Sequence, residues 1–352
     1  ECVIRVIVPA SIRNAAMSSY SGRITTYPQA AKPRQMDCIL GSRCAVTDMP
    51  WTASTVPRGF FRRPGRRHLP HYQYRRRRRF LDCCEDGPAT FAGVGNTSGV
   101  GFEGRLVEKG DGGEVLIIGG GPYQGAPYLA GLGALRAGAD IVRIASPEFE
   151  PIPDLIYERL EGKIIAAEHI ERILGLIERA DVVVIGNGLG DRSHAVVRAI
   201  APHCKKAVFD ADALRTPLPV GRDSIYTPHS GEFERMTGFH PGEDLILRAR
   251  AVRNAARKGT ILLKGAIDIV SYGDMVRFNR TGTPLMTVGG TGDVLAGVTG
   301  ALFCHLPAFE AACLAAYVNG KAGMAVERVR AGGMLASDLV DRIPDELFGR
   351  GG

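Results

Sequence analysis

No apolar run in this chain of 352 residues approaches the ~18 that a membrane-spanning helix needs, so an integral membrane protein is not expected. A secretory leader is missing too. Glu1 to Val8 is apolar but short and wrongly flanked, and the chain starts at Glu1 and not at Met, as a fragment would. The eight cysteines form no C-x-x-C pair and have no histidine at a spacing that suits zinc, which excludes the common zinc modules. Cys204, Cys304 and Cys313 lie in apolar or helical settings and read as small buried residues. Nothing therefore calls for an oxidising compartment, and a cytoplasmic protein is expected. What is present, 45% hydrophobic and 23% charged residues, is ordinary for a soluble globule. At ~150 residues per domain the length predicts two units, or one large unit with an appendage.

The net charge of +7 is unevenly spread. Residues 1–90 hold 15 Arg and one Lys against six acidic residues, a net +10; the remainder holds 28 basic and 31 acidic residues, a net −3. Residues 1–90 also lack any sustained period of 2 or 3.6, and they are broken by Pro and by the Arg clusters at 62–67 and 75–79. No core is predicted there. Three origins fit this stretch: a basic tail that binds nucleic acid, a disordered appendage without function, and a GC-rich gene read out of frame. The out-of-frame origin is preferred and nucleic-acid binding is the least favoured. The expected division is 1–100, a basic Arg/Cys/Pro-rich segment that is disordered or a frameshifted remnant, and 101–352, a folded domain.

From about Val115 strand and helix signals alternate. Apolar strands are predicted at Glu114–Gly119, a run ending in glycines, and at Asp140–Ala145, Asp181–Ile185, Lys206–Phe209 and Ser224–Tyr226. Helices are predicted at Ala126–Ala137, Ala167–Arg179, Ser193–Ala201 and Arg248–Lys258. Strands that are apolar throughout and separated by helices imply a parallel sheet covered on both faces, an α/β fold. A β pair, Thr260–Lys264 and Asp268–Ser271, turns through Tyr272-Gly-Asp274 into Met275–Phe278, and helices at Val294–Phe303 and Ala308–Glu327 close the chain.

The stretch Thr287-Val-Gly-Gly-Thr-Gly-Asp-Val-Leu-Ala-Gly-Val-Thr-Gly300 is a glycine-rich turn running into a helix. Gly289, Gly290 and Gly292 let the backbone take positive φ and come close to a ligand, and the first free N–H groups of the following helix offer an anion site strengthened by the helix dipole. Asp293 stands at the junction. A carboxylate repels a cradled phosphate, so its placement makes sense if it accepts a proton from an attacking hydroxyl; a helix start with a dipole-matched Asp is the plainer reading. Other candidates follow predicted strands, at the sheet rim where ligands of open α/β sheets bind: Gly119–Gly121, Gly186-Asn-Gly-Leu-Gly190, Asp210-Ala-Asp212, Thr227-Pro-His-Ser-Gly-Glu232 and Lys264-Gly265. Each has a plain alternative: a simple turn for the glycines, a helix cap for Asp212, a structural role for His229.

Six ordered motifs carry a resemblance over roughly 110–345. Tyr123-Gln-Gly-Ala-Pro127 with Ala134–Gly138, Ile185–Gly190, Phe209–Leu214, Thr227–Phe233, Leu263–Asp268 and Gly289–Gly297 together resemble the NAD(P)H-hydrate dehydratases of the ribokinase-like superfamily, nearest to archaeal members. The resemblance implies a ribokinase-like three-layer fold with a mostly parallel central sheet. It implies an enzyme, a carbon-oxygen lyase that repairs hydrated NADH or NADPH: the ring hydroxyl of the S epimer is phosphorylated from ADP or ATP with Mg2+, and phosphate is then lost. By motif position Asp293 is the catalytic base. Ala126, Gly188, Gly190, Asp212, His229 and Asp293 contact the hydrate, and Lys264, Gly265, Ala266, Ile267, Asp268 and Gly292 hold the adenine nucleotide. Gly289, Gly290, Thr291 and Gly292 form the anion hole, and Mg2+ bridges nucleotide phosphates without direct protein ligands. A homo-oligomer, a tetramer in many relatives, is implied as well.

This chain departs from the family pattern at Gly282-Thr-Pro-Leu-Met286, where Gly-Asn-Pro-Gly-Met is common, at Asn187, where Pro is usual, and at Ser230, where Pro or Arg is common. The epimerase domain of many relatives has no counterpart in residues 1–100. Two alternative functions stand beside the dehydratase: a ribokinase-like kinase of a small alcohol or vitamin precursor, and a nucleic-acid binder acting through Arg75 to Arg79.

Overall fold

The computed structural model describes residues 112–349, apart from Phe149 and Ala331. The expectations for residues 1–100, and the boundary drawn at 100/101, lie outside the described residues.

The described strands form a nine-stranded sheet in the order β3-β2-β1-β4-β5-β6-β7-β8-β9. They are β1 (Glu114–Ile118), β2 (Ile141–Ser146), β3 (Ile156–Arg159), β4 (Val182–Ile185), β5 (Lys206–Phe209), β6 (Asp223–Tyr226), β7 (Thr260–Leu263), β8 (Asp268–Tyr272) and β9 (Met275–Asn279). Strands β1 to β7 pair in parallel, and β8 and β9 join antiparallel. The helices are α1 (Gly125–Arg136), α2 (Ile170–Arg179), α3 (His194–Ile200), α4 (Ser230–Thr237), α5 (Leu245–Ala255), α6 (Thr291–His305), α7 (Ala308–Arg330), α8 (Ala336–Val340) and α9 (Ile343–Phe348).

Alternation along each strand splits the core into two layers. Val115, Ile117, Ile144, Val182, Val184 and Val208 pack with α1, α6 and α7 on one face. Leu116, Ile118, Val183, Ile185, Phe209 and Tyr226 pack with α2, α3 and α5 on the other. Both faces are thus buried, which is why the strands are apolar without alternation. Helix α2 shows the same logic at helical period: Ile173, Leu176 and Ile177 are buried while its Glu and Arg residues face outward. Helix α6 is buried along nearly its whole length and lies directly on α1; a side chain at Gly297 would strike the carbonyl of Ala130. This is the three-layer ribokinase-like arrangement that the resemblance implies.

Chain direction reverses between β1 and β4. The chain leaves β1 toward β2 and β3, then returns to the other side of β1 and proceeds from β4 to β7, so the loops after β1 and β4 part at a topological switch point. The candidate site residues gather there. Helix α5 starts at Leu245, three residues before the predicted Arg248, because the Asp244 carboxylate accepts the amides of Ile246 and Leu247 at 2.9 Å each. Strand β3 and helices α4, α8 and α9 are additions to the predicted elements. Of the three cysteines expected to be buried, Cys204 and Cys313 are, whereas Cys304 is only partly so.

Candidate active site

The carboxyl ends of β1, β4, β5, β6 and β7 and the start of α6 meet in one crevice. Gly290, at φ 98°, turns the chain into α6; a side chain there would come within 2.5 Å of Leu129 and 2.8 Å of Ala336, so glycine is required by conformation and by space. Thr291 ties this turn to the preceding loop, its hydroxyl donating to the Met286 carbonyl at 2.8 Å. The first-turn amides of α6 have no intrahelical acceptors, so they form a cradle with positive potential. Gly289 is exposed in open space beside it.

Asp293 lies in that first turn. Its Oδ1 accepts from Asn187 Nδ2 at 2.7 Å, and the same Nδ2 donates to Asp210 Oδ2 at 3.1 Å. Asp210 ends β5, 2% exposed, and it accepts from the Thr227 hydroxyl at 2.8 Å and pairs with the Lys264 ammonium at 2.8 Å. Lys264 also stands 3.6 Å from Glu232. Burial, and then the neighbouring Asp210 charge, push Asp293 up to about 7, against the opposing pull of Asn187 and Lys264. Burial works against the Lys264 charge, but Asp210 and Glu232 outweigh it and raise its pKa. A carboxyl that changes protonation near neutrality beside an anion cradle can take up a proton during a reaction.

The expected site residues fall into contiguous groups. A side chain at Gly188 would sit 3.2 Å from the Ala126 Cβ, so these two positions adjoin, one residue from Asn187 and its bond to Asp293. The Gly190 amide donates to Asp212 Oδ2 at 2.8 Å, so Asp212 ties the β4 loop to the β5 loop and does not cap a helix. A side chain at Gly292 would come 3.2 Å from Lys264 Nζ, which joins the 264–268 loop to the anion turn. Gly265 and Ala266 are exposed and Ile267 is half-buried. The Asp268 carboxylate is turned inward, accepting from the Gly265 amide at 3.0 Å and from Asn279 at 2.9 Å; it shapes this loop, and burial pushes it up to about 6. His229 caps α4: its Nδ1 accepts the amides of Gly231 and Glu232, leaving the proton on Nε2, which lies 3.3 Å from Glu232 Oε1. The outer side of its ring remains exposed.

Asn187, Asp210, Thr227 and Glu232 are functional candidates that the motif positions did not single out. One signal points to Asp210 and Glu232: each is a carboxylate at a buried position, where a charge must be paired. No comparable signal marks Asn187. The group of carboxylates offers little to a resident metal ion, because Asp210 and Glu232 are committed to Lys264.

A family model described as NAD(P)H-hydrate dehydratase matches residues 115–345. The chain belongs to the NAD(P)H-hydrate dehydratase family. A bifunctional NAD(P)H-hydrate repair enzyme of Methanospirillum hungatei is 56% identical over 240 residues, which are 68% of this chain and 50% of that protein. The chain therefore spans about half the length of the repair enzymes of this kind that it matches. An ADP-dependent (S)-NAD(P)H-hydrate dehydratase of Cenarchaeum symbiosum is 36% identical over 69% of this chain and 91% of its own length. Among solved structures, an ADP/ATP-dependent NAD(P)H-hydrate dehydratase from Bacillus subtilis, co-crystallised with ATP and Mg2+, superposes with a TM-score of 0.58 and is 29% identical, covering 68% of this chain and 91% of that one.

Proposed function

We propose that this chain dehydrates the S epimer of hydrated NADH or NADPH, with ADP or ATP as phosphoryl donor. The observation that carries the reading is Asp293: a carboxylate in the first turn of α6, beside amides free to hold an anion, with its pKa at about 7. The 264–268 loop and Gly292 hold the nucleotide, the loop through its backbone, with Asp268 keeping it in shape. The hydrate lies against Ala126, Gly188, Gly190, Asp212 and the exposed side of His229, its ring hydroxyl at Asp293.

In the first step the hydroxyl oxygen attacks the terminal phosphorus of the donor. The O–P bond forms, the bond to the departing nucleotide breaks, and the hydroxyl proton passes to Asp293. The amides of Gly289, Gly290, Thr291 and Gly292 stabilise the charge on the transferred group. Lys264, held by Asp210 and Glu232, keeps positive charge next to this turn. In the second step the ring nitrogen lone pair expels phosphate, and loss of a proton from the neighbouring ring carbon restores the dihydropyridine. Mg2+ bound with the nucleotide would neutralise charge on the phosphates, and no side chain of this chain is assigned as its ligand. The protein acts in the cytoplasm and as a homo-oligomer.

The test is to supply hydrated NADH with Mg2+ and either ADP or ATP and follow the reduced-nicotinamide absorbance. Recovery that requires one of the two nucleotides is expected. A phosphorylated product without recovery would instead favour a small-alcohol kinase.

A further inference from the structure

Asn187 is fully buried, and its Nδ2 donates to two carboxylates at once, Asp293 Oδ1 at 2.7 Å and Asp210 Oδ2 at 3.1 Å. Its Oδ1 has no hydrogen-bond partner among the described residues. Charge decides this orientation: turning the amide over would set Oδ1 against both carboxylates and remove their donor. A residue selected for stability alone would satisfy both ends, because an unpaired buried carbonyl is costly. The backbone is pinned as well, the Asn187 carbonyl accepting from the Gly120 amide at 2.9 Å.

We propose that Asn187 is a positioning residue for the phosphorylation step, clamping Asp293 Oδ1, leaving Oδ2 for the substrate hydroxyl, and keeping Asp293 ionised beside Asp210. The proposal rests on the reading of Asp293 as the base. The charges that face Asp293 come from separate elements. Asp210 at the end of β5 and Glu232 on α4 favour its protonated form, and Lys264 at the end of β7 favours the ionised form. His229 and Arg235 engage Glu232, at 3.3 Å and 3.8 Å. Lys264 is shared between Asp210 and Glu232, so Asn187 supplies the direct hydrogen bond to the Asp293 carboxylate. The signature of this clamp is therefore the pH dependence of turnover, and activity alone does not report it.

The experiment measures kcat and kcat/KM against pH for the wild type, Asn187→Leu and Asn187→Ala, with thermal melts to establish folding. Loss of the donor is expected to raise the acidic limb by about one pH unit or more, so that kcat/KM falls about tenfold below the limb and recovers at higher pH, with KM for the nucleotide little changed. If the Leu variant does not fold, the Ala variant carries the same expectation. An unmoved limb in a folded variant, or a loss of equal size at every pH, overturns the proposal. Asp293→Asn separates the two readings. If it keeps near-normal turnover, the base assignment fails; if it is inactive while the Asn187 variants leave the limb in place, only the clamp fails.

Discussion

Asp293 is placed where stability and reactivity pull in opposite directions. Its carboxyl ordinarily titrates near 3.8 and is pushed up to about 7 in the fold, so the folded state binds more protons than the unfolded chain between these values. Stability attributable to this residue is then present at low pH and lost as pH rises through about 7. Asp293→Asn is expected to lower turnover by about 10²–10⁴-fold while leaving nucleotide binding in place, because the cradle is backbone. The same variant is expected to melt about 2–4 °C above the wild type at pH 8, with the gap closing toward pH 4. Near-normal turnover would exclude Asp293 as the base, and a lower melting point at pH 8 would contradict the burial cost. The carboxylate itself was legible in the sequence, since one acidic residue in a glycine-rich helix start stands out. Its environment was not. Asn187, Asp210, Glu232 and Lys264 lie far apart along the chain, and no local spacing announces that one amide will bridge two carboxylates.

At the scale of elements, the turn into α6 does the positioning. Gly290 holds a left-handed backbone in contact with Leu129 and Ala336, so Gly290→Val is expected to cost about 2–4 kcal/mol of stability and to displace the amides that cradle the anion. Chemical denaturation and turnover measured together check this; a variant with wild-type stability would show that the turn is not constrained as described. Elements with strong apolar character were legible: the core strands and helices α1, α2 and α7 appear close to their expected bounds. Strand β3 was not, because Ile156–Arg159 is a four-residue edge strand, partly exposed and polar at its end, with no run to detect. Helix α4 was hidden for another reason. Its cap is His229, an unusual capping residue, and the helix begins inside a loop motif that reads as a turn. Helices α8 and α9 have five and six residues, too short for a period to emerge.

At the scale of the whole molecule, the topology explains why distant motifs converge. Apart from the turn into α6, the loops of the crevice follow the carboxyl ends of parallel strands, and the change of direction between β1 and β4 opens space for a ligand there. The core and the candidate site both lie within residues 112–349. Removal of residues 1–90 is therefore expected to leave dehydration within about twofold of the intact chain, by kcat/KM; a truncated protein that folds but is inactive would contradict this. Whether phosphorylation of the ring hydroxyl, with Asp293 as the base, leads on to loss of phosphate is tested by stoichiometry. Phosphate released and reduced nicotinamide regenerated are measured in the same reaction with ADP or ATP. The account predicts one phosphate for each NADH or NADPH regenerated, with both lost in Asp293→Asn; nucleotide consumption that leaves a stable phosphorylated ring and no reduced nicotinamide would contradict it.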